Sequence, residues 1–270
     1  VKLDAARIVL RPRSMAELLD LALRFCSEPA AKLYAKLGAL TLLPAWLLCC
    51  AAAFLLDWSW VDVWLLAVAL ATPIQGVFTV AVGRKMFAEE VSVGEVLLQF
   101  WRRFFPYMGA LIVSRLFLGL GGLGFFTVIL PIWVWARVAY VHEACLLEQA
   151  SAVGSLTRAG NMIKGRAPGA AGMLLLMTLG VCAFVLSAEL LINNGLLEFL
   201  LQVGTPLGSL FYSGGSAAAL FGFFLAVPFW STARFLSYID QRTRLDGWDI
   251  QLRFMAIQAA DADEHERGAA

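Results

Sequence analysis

The sequence predicts an all-α, polytopic membrane bundle of six transmembrane helices, built from three repeats of an amphipathic elbow helix and a transmembrane hairpin. Three observations carry that expectation. Hydrophobic residues make up 60% of the 270-residue chain and charged residues 15%, against about half and about a quarter in a soluble domain. Six segments are long and apolar enough to cross a hydrocarbon core of ~30 Å, which takes about 20 helical residues. The 21 Lys and Arg residues avoid the turn inside every pair of spans. A net charge of +1 gives no footprint for nucleic acid, so the informative charge is its distribution.

The spans are expected near 35–56, 61–83, 106–122, 124–146, 168–190 and 217–239. The turns within the pairs run from Asp57 to Asp62, from Gly119 to Gly124 and from Glu189 to Ser216, and hold the acids Asp57, Asp62, Glu189 and Glu198. Lys2, Arg7, Arg11, Arg13 and Arg24, then Arg84, Lys85, Arg102 and Arg103, then Arg158, Lys164 and Arg166, and finally Arg242, Arg244 and Arg253 fall on the other side. Loops rich in Lys and Arg stay in the cytoplasm, which places both termini inside. No secretory signal is expected, because the first apolar run follows a charged segment of about 30 residues. Trp58, Trp60 and Trp64 suit an outer interfacial belt. Cys26, Cys49, Cys50, Cys145 and Cys182 sit mostly in apolar runs without metal-ligand spacing and read as small buried hydrophobes.

The connectors repeat. Ser14-Met-Ala-Glu17-Leu18, Ser92-Val-Gly-Glu95-Val96 and Ala152-Val-Gly-Ser155-Leu156 align without gaps, and the first two are S-x-x-E capping boxes. Val93, Val96, Leu97, Phe100, Trp101, Phe104 and Phe105 trace one apolar helical face. Arg24 and Arg102 share the same offset, and Pro29, Pro106 or Pro168 follows each elbow. Such helices lie in the interface and lead into the membrane. The second spans align as well, on Pro73, Pro131 and Pro228, with Lys85, Glu143 and Asp240 twelve residues beyond. The repeats run over about 14–85, 92–146 and 152–241 of a single domain, 1–258, and residues 259–270 form a polar tail expected to be disordered.

Charges within the spans are the candidate functional residues. Arg115 lies ~13 Å past Pro106 along the third span, and Arg137 and Arg234 lie in the inner halves of the fourth and sixth. A mid-membrane charge is costly and faces protein or water. Arg115, Arg137, Glu143, Arg234, Asp240 and Lys85 therefore form either a polar path for an anionic ligand or a set of helix-registering ion pairs. Arg24, Arg102, Arg103, Lys164, Arg166, Arg242 and Arg244 are candidate headgroup or partner contacts. Glu189 is expected at the outer boundary, within reach of water. No HExxH, phosphate-binding glycine loop, CxxC or GxSxG occurs, and no metal or cofactor is expected. The apolar stretch from Leu190 to Val203 reads as a short interfacial or re-entrant helix ended by Gly204-Thr205-Pro206, and Gly214-Gly215-Ser216 as a flexible approach to the last span.

Tyr238-x-Asp240-x-Arg242-x-Arg244-x-Asp246-Gly247-x-Asp249 resembles a signature of the membrane domain associated with bacterial glycerophosphoryl diester phosphodiesterases. Val153-Gly154-Ser155-Leu156-x-Arg158 with Lys164-Gly165-Arg166, and Pro131 with Arg137 and Glu143, are similar to the same group. That group usually carries Glu where this chain has Asp246. The resemblance covers the second half directly and the first half through the repeat. It implies a six-span bundle in a bacterial inner membrane, and it transfers no phosphodiesterase activity, because the hydrolase barrel and its carboxylates have no counterpart here. Arg242 and Arg244 are then expected near headgroups, on a C-terminal stretch folded back along the inner face. The leading functional expectation is a non-enzymatic membrane subunit or scaffold whose elbows hold a protein partner. The alternative is a carrier or lipid transporter with Arg115, Arg137 and Arg234 facing a central path, and an enzyme acting on lipids is the third class.

Overall fold

The computed structural model describes residues 13–88, 90–123 and 129–246. The tail at 259–270, the signature residues Gly247 and Asp249, and the basic residues Lys2, Arg7, Arg11 and Arg253 lie outside the described residues, as does Gly124. Apart from one two-residue-stranded hairpin, the described secondary structure is helical. Three short helices, α1 (Met15–Ser27), α4 (Val93–Arg102) and α8 (Ala152–Met162), precede long ones. Among the described residues, five helical runs are long and apolar enough to cross a membrane: α2 (Ala31–Phe54), α3 (Trp60–Phe87), α5 (Phe104–Gly122), α9 (Ala167–Ala188) with its continuation, and α11 (Ala217–Asp246). The chain is a multi-pass membrane protein.

The expected fourth span is broken. Helix α6 (Ile129–Arg137) ends, residues 138–140 turn, and α7 (Val141–Leu146) resumes. The pair nonetheless runs antiparallel to α5. The Tyr107 hydroxyl, near the start of α5, lies 2.7 Å from Nδ1 of His142 on α7. At the other end of α5, a methyl group on Gly121 would stand 2.7 Å from Val134 of α6. Beyond α7 the backbone of Gln149 takes φ 58°, unusual for a side chain larger than glycine's. Arg103, just before α5, donates to the carbonyl of that residue at 3.3 Å and to its side-chain oxygen at 2.5 Å. The chain leaving at Arg103 has therefore returned to the same end by Gln149.

The elbows are capped as hydroxyl residues cap helices, with two departures. Ser14 and Glu17 form the full reciprocal box on α1. Ser92 accepts from the Glu95 amide, but the Glu95 carboxylate turns to Arg84 at 3.0 Å, so the second box is only half made. In the third elbow the cap is Ser151, accepting from the Gly154 amide, one residue before the aligned Ala152. The alignment slipped because Ser155 matched the glutamate column, while capping follows the first hydroxyl before the helix. Pro106 and Pro168 stand in the first turns of α5 and α9, where a missing N–H costs nothing.

The end opposite the basic residues also corrects the expectation. Residues 190–200 are no separate re-entrant helix: α9 continues as a π-helical segment, Glu189–Leu200. Gly214 to Ser216 is no flexible approach, because Gly215–Ser216 (β2) pairs antiparallel with Gly208–Ser209 (β1) around the short α10 (Leu210–Ser213). Gly214 supplies the φ of 80° that turn requires. Glu189 is fully buried rather than wet, accepting from the Leu210 amide at 2.8 Å, from Asn193 at 3.1 Å and from the Ser216 hydroxyl. Trp64 donates to the Gly214 carbonyl at 3.0 Å and Trp60 packs under Gly208 and Gly215, so these two indoles clasp the hairpin. Helix α11 runs through the middle, packed on α9, α3, α1 and α2.

Candidate functional site

Thr72, Gln75 and Thr79 are the polar residues of the apolar run 63–82, and their spacing sets them on one face of α3. That face turns inward. Thr79 and Gln75 are buried, and Thr72 is twelve residues from Trp60 at one end and twelve from Arg84 at the other, ~18 Å from each. The Arg115 Nη2 donates to the Thr72 hydroxyl at 3.2 Å, so this guanidinium sits at mid-depth of the bundle.

A polar chamber of about 80 Å³ opens beside it, lined by Gln75, Ser114, Arg115, Trp135, His142, Trp230 and Arg234 together with Leu118, Val138, Ala139 and Leu174. It adjoins a second chamber of about 250 Å³, lined by Val68, Ala71, Thr178, Val181, Phe223, Ala226 and Val227 and sharing Thr72, Gln75, Arg115 and Trp230. One compartment is polar and the other apolar, with the same arginine, glutamine and indole at the join.

The polar chamber lies where α6 and α7 part at 138–140, with Val138 and Ala139 in its wall. A backbone break inside a bilayer frees carbonyls that no water reaches, and other groups must bond them. Arg234 from α11 does so, donating from Nη2 to the Ala139 carbonyl. The same guanidinium binds Glu143 through Nε at 3.1 Å and Nη2 at 3.0 Å, with both side chains nearly free of solvent. His142, next in sequence, meets the Tyr107 hydroxyl, which also lies 3.2 Å from the Thr72 carbonyl. A neutral imidazole with Nδ1 engaged keeps Nε2 for the chamber.

The charges expected to act together divide. Arg115 and Arg234 share the chamber, and Glu143 pairs with Arg234. Arg137 does not join them; it lies over the Trp133 ring at 4.9 Å and against Gly160 of α8. Asp240 does not partner Arg234 either: it accepts from the Arg13 amide at 2.9 Å and from Arg244 Nε at 2.7 Å, because those groups sit one turn away at the basic end. Lys85 is half-buried in the last turn of α3.

Of the candidate headgroup contacts, Arg102, Lys164 and Arg166 are exposed, and Arg24 pairs with Asp20 at 3.0 Å. The others turn into the protein. Arg103 holds Gln149, Arg242 holds Glu148, and Arg244 donates to the Arg13 carbonyl at 2.7 Å. Glu148, unforeseen from the sequence, receives Arg158, Arg242 and the Tyr238 hydroxyl. Burial would raise its carboxyl, but the bond from Tyr238 and the charges of Arg242 and Arg158 outweigh that and hold it below the ordinary glutamate value.

Among the described residues no group of three or more His, Cys, Asp or Glu side chains is placed to hold a metal ion. The chamber's chemistry is donation to an anion, from the guanidinium of the exposed Arg115 and the amide N–H groups of the buried Gln75. Comparison with known protein families, with curated proteins and with solved structures finds no match to this chain.

Proposed function

We propose that this protein is a membrane carrier that takes an amphiphile from the lipid phase into the paired chambers. The observation that carries the proposal is a polar compartment at mid-depth joined to an apolar one. Carriers place their site near the bilayer midplane, where either side can reach it, and line it with interrupted helices. The break between α6 and α7 supplies such an interruption.

The wider architecture proposed is a six-pass ring in the inner membrane with both termini cytoplasmic. The return of the chain from Arg103 to Gln149 supports the fourth crossing. The repeat is supported by how elbows pack: α4 lies on α3, α8 on α7, and α1 on α11. In this reading each elbow meets the second span of the preceding hairpin, α8 lying on α5 as well, and the first elbow meets the last hairpin, as a closed ring requires. Trp101 at the end of the elbow α4 and Phe105 at the start of α5 are 62% and 83% exposed, which suits insertion among lipid tails.

A second reading, the scaffold, is favoured by an apolar ledge at the hairpin end. There Phe199 and Tyr212 are 82% and 91% exposed, beside Leu200 and Phe211. Purification in native nanodiscs with mass spectrometry of retained molecules separates the two. A defined lipid held by the lone chain supports the carrier. A stoichiometric protein lost on Phe199→Ser and Tyr212→Ser substitution supports the scaffold and removes the carrier.

A further inference from the structure

We infer that the paired chambers select an anionic amphiphile, fixing a phosphate or carboxylate headgroup between Arg115 and Gln75 with its hydrocarbon chain in the apolar compartment. This deepens the carrier reading and rests on it.

The first argument is charge. Around the polar chamber stand two guanidinium groups and one carboxylate, and Glu143 is committed to Arg234 by two hydrogen bonds. Arg115 is left with a neutral hydroxyl, that of Thr72. One positive charge at mid-depth therefore remains without a counter-ion among the described residues. Arg115 is itself exposed on the bundle, and the hydroxyl that its guanidinium touches lies ~18 Å along α3 from Trp60 and from Arg84.

The second argument is independent. Gln75 is 7% exposed, lines both chambers, and its Nε2 has no hydrogen-bond partner among the described residues. A buried amide N–H₂ without an acceptor is destabilising, and an anion's oxygen in the chamber would accept from it. Both unfilled needs are for the same thing, an acceptor with negative charge. A volume of about 80 Å³ admits one small oxyanion group, on the scale of ~30 Å³ for a water. Phe223, Ala226, Val227 and Val181 beyond the join offer nothing to a second polar group and suit a hydrocarbon chain.

The test uses the full chain, delipidated in detergent, with binding read by native mass spectrometry. The probes are an oleoyl lysophosphatidic acid, oleate, an oleoyl lysophosphatidylcholine and inorganic phosphate. The expected result is binding of the two anionic lipids, with the zwitterionic lipid about tenfold or more weaker. R115Q should weaken the anionic lipids about tenfold or more while R115K largely retains them, since a charge-assisted hydrogen bond is at stake. Equal binding of the zwitterionic lipid would overturn the selection while leaving the carrier intact. Displacement of the lipids by inorganic phosphate at equal concentration would assign the site to a free anion and overturn the amphiphile. No binding by any probe would remove both readings, as would a protein partner retained by wild type and lost in R115Q. Should R115Q not fold, Q75L and the wild-type probe series decide: undiminished anionic binding in Q75L would count against the Gln75 contact.

Discussion

Arg234 on the last helix reaches Glu143, 91 positions earlier, through two hydrogen bonds of 3.1 and 3.0 Å, and the same guanidinium bonds the carbonyl of Ala139 at the break between α6 and α7. The ion pair and the break are one structure, since the arginine meets both the acid and a carbonyl the helix no longer serves. Removing one member strands the other in a dry site. E143M or R234M alone should lower stability by about 3–5 kcal/mol. The double variant R234M/E143M should lose markedly less than the sum. Thermal unfolding of all four proteins in one detergent gives the coupling energy, and additive losses would show that the pair is not coupled.

Gly76 lies against α4 and α5, where a methyl group would come within 2.8 Å of Phe100 on α4 and 2.6 Å of Tyr107 on α5. G76A should cost about 1–3 kcal/mol by overpacking and disturb the Tyr107–His142 contact. Gly119, on α5, has nothing within 4 Å of the same position. G119A should leave the fold intact or stabilise it, because alanine is the better helix former. Melting temperatures that move in opposite directions for the two variants would bear out the packing of α3 on α5.

Acid should weaken the basic end through Glu148. Its folded value lies below the unfolded one, near 4.3, so the stability it contributes is complete above that pH. That contribution is lost as pH falls through the folded value. The melting temperature of the wild-type protein should therefore fall on acidification below about pH 4.3. E148Q should start lower at neutral pH and show a shallower acid limb. Parallel acid limbs for the two proteins would mean that another carboxylate controls the loss.

The opposite end depends on Glu189. E189A removes the acceptor for the Leu210 amide, the Ser216 hydroxyl and Asn193 at once. Hydrogen exchange at Leu210 and Ala217 should then speed up by about tenfold or more, with little change in α3 or α11, because a bond to a charged group contributes on the order of 1.5–3 kcal/mol. Unchanged exchange at Leu210 would show that the hairpin is held by Trp60 and Trp64 instead.

The Cys26 thiol, pushed up to about 11 by burial despite its hydrogen bond to Thr232, should alkylate slowly at neutral pH. Mass spectrometry after maleimide treatment of the folded protein should find Cys182, which is exposed in the apolar α9, labelled only where detergent admits the reagent. Rapid modification of Cys26 would mean that α1 lifts from α11.

Hydropathy and the positions of Lys and Arg were enough to place the long helices, because apolar length and charge asymmetry are local properties of the chain. The capped starts of α1 and α4 were also visible, since Ser14 and Ser92 act on amides three residues away. The break at 138–140 left no local mark; Val138, Ala139 and Tyr140 are ordinary span residues, and the break is held by an arginine on another helix. Glu148 was hidden for the same reason, as its partners come from α8 and α11. Gln75 could have been found: with Thr72 and Thr79 it makes a polar stripe at helical spacing in an otherwise apolar run. The hairpin at 208–216 read as a flexible approach because two-residue strands carry no periodicity.

Helix α11 is the least apolar of the five long runs, with a mean hydropathy of 1.4 against 2.3 for the run beginning at Ala167, and it is also the most enclosed. Those facts set an order of assembly. A segment holding Arg234 and Asp240 partitions poorly into lipid alone, so it gains a stable home only where Glu143, the Arg13 amide and the face of α3 already stand. A chain stopped short of Ala217 would thus lack the helix that carries Arg234 and Trp230 into the chambers and covers the first elbow, and quality-control proteases would meet an open bundle.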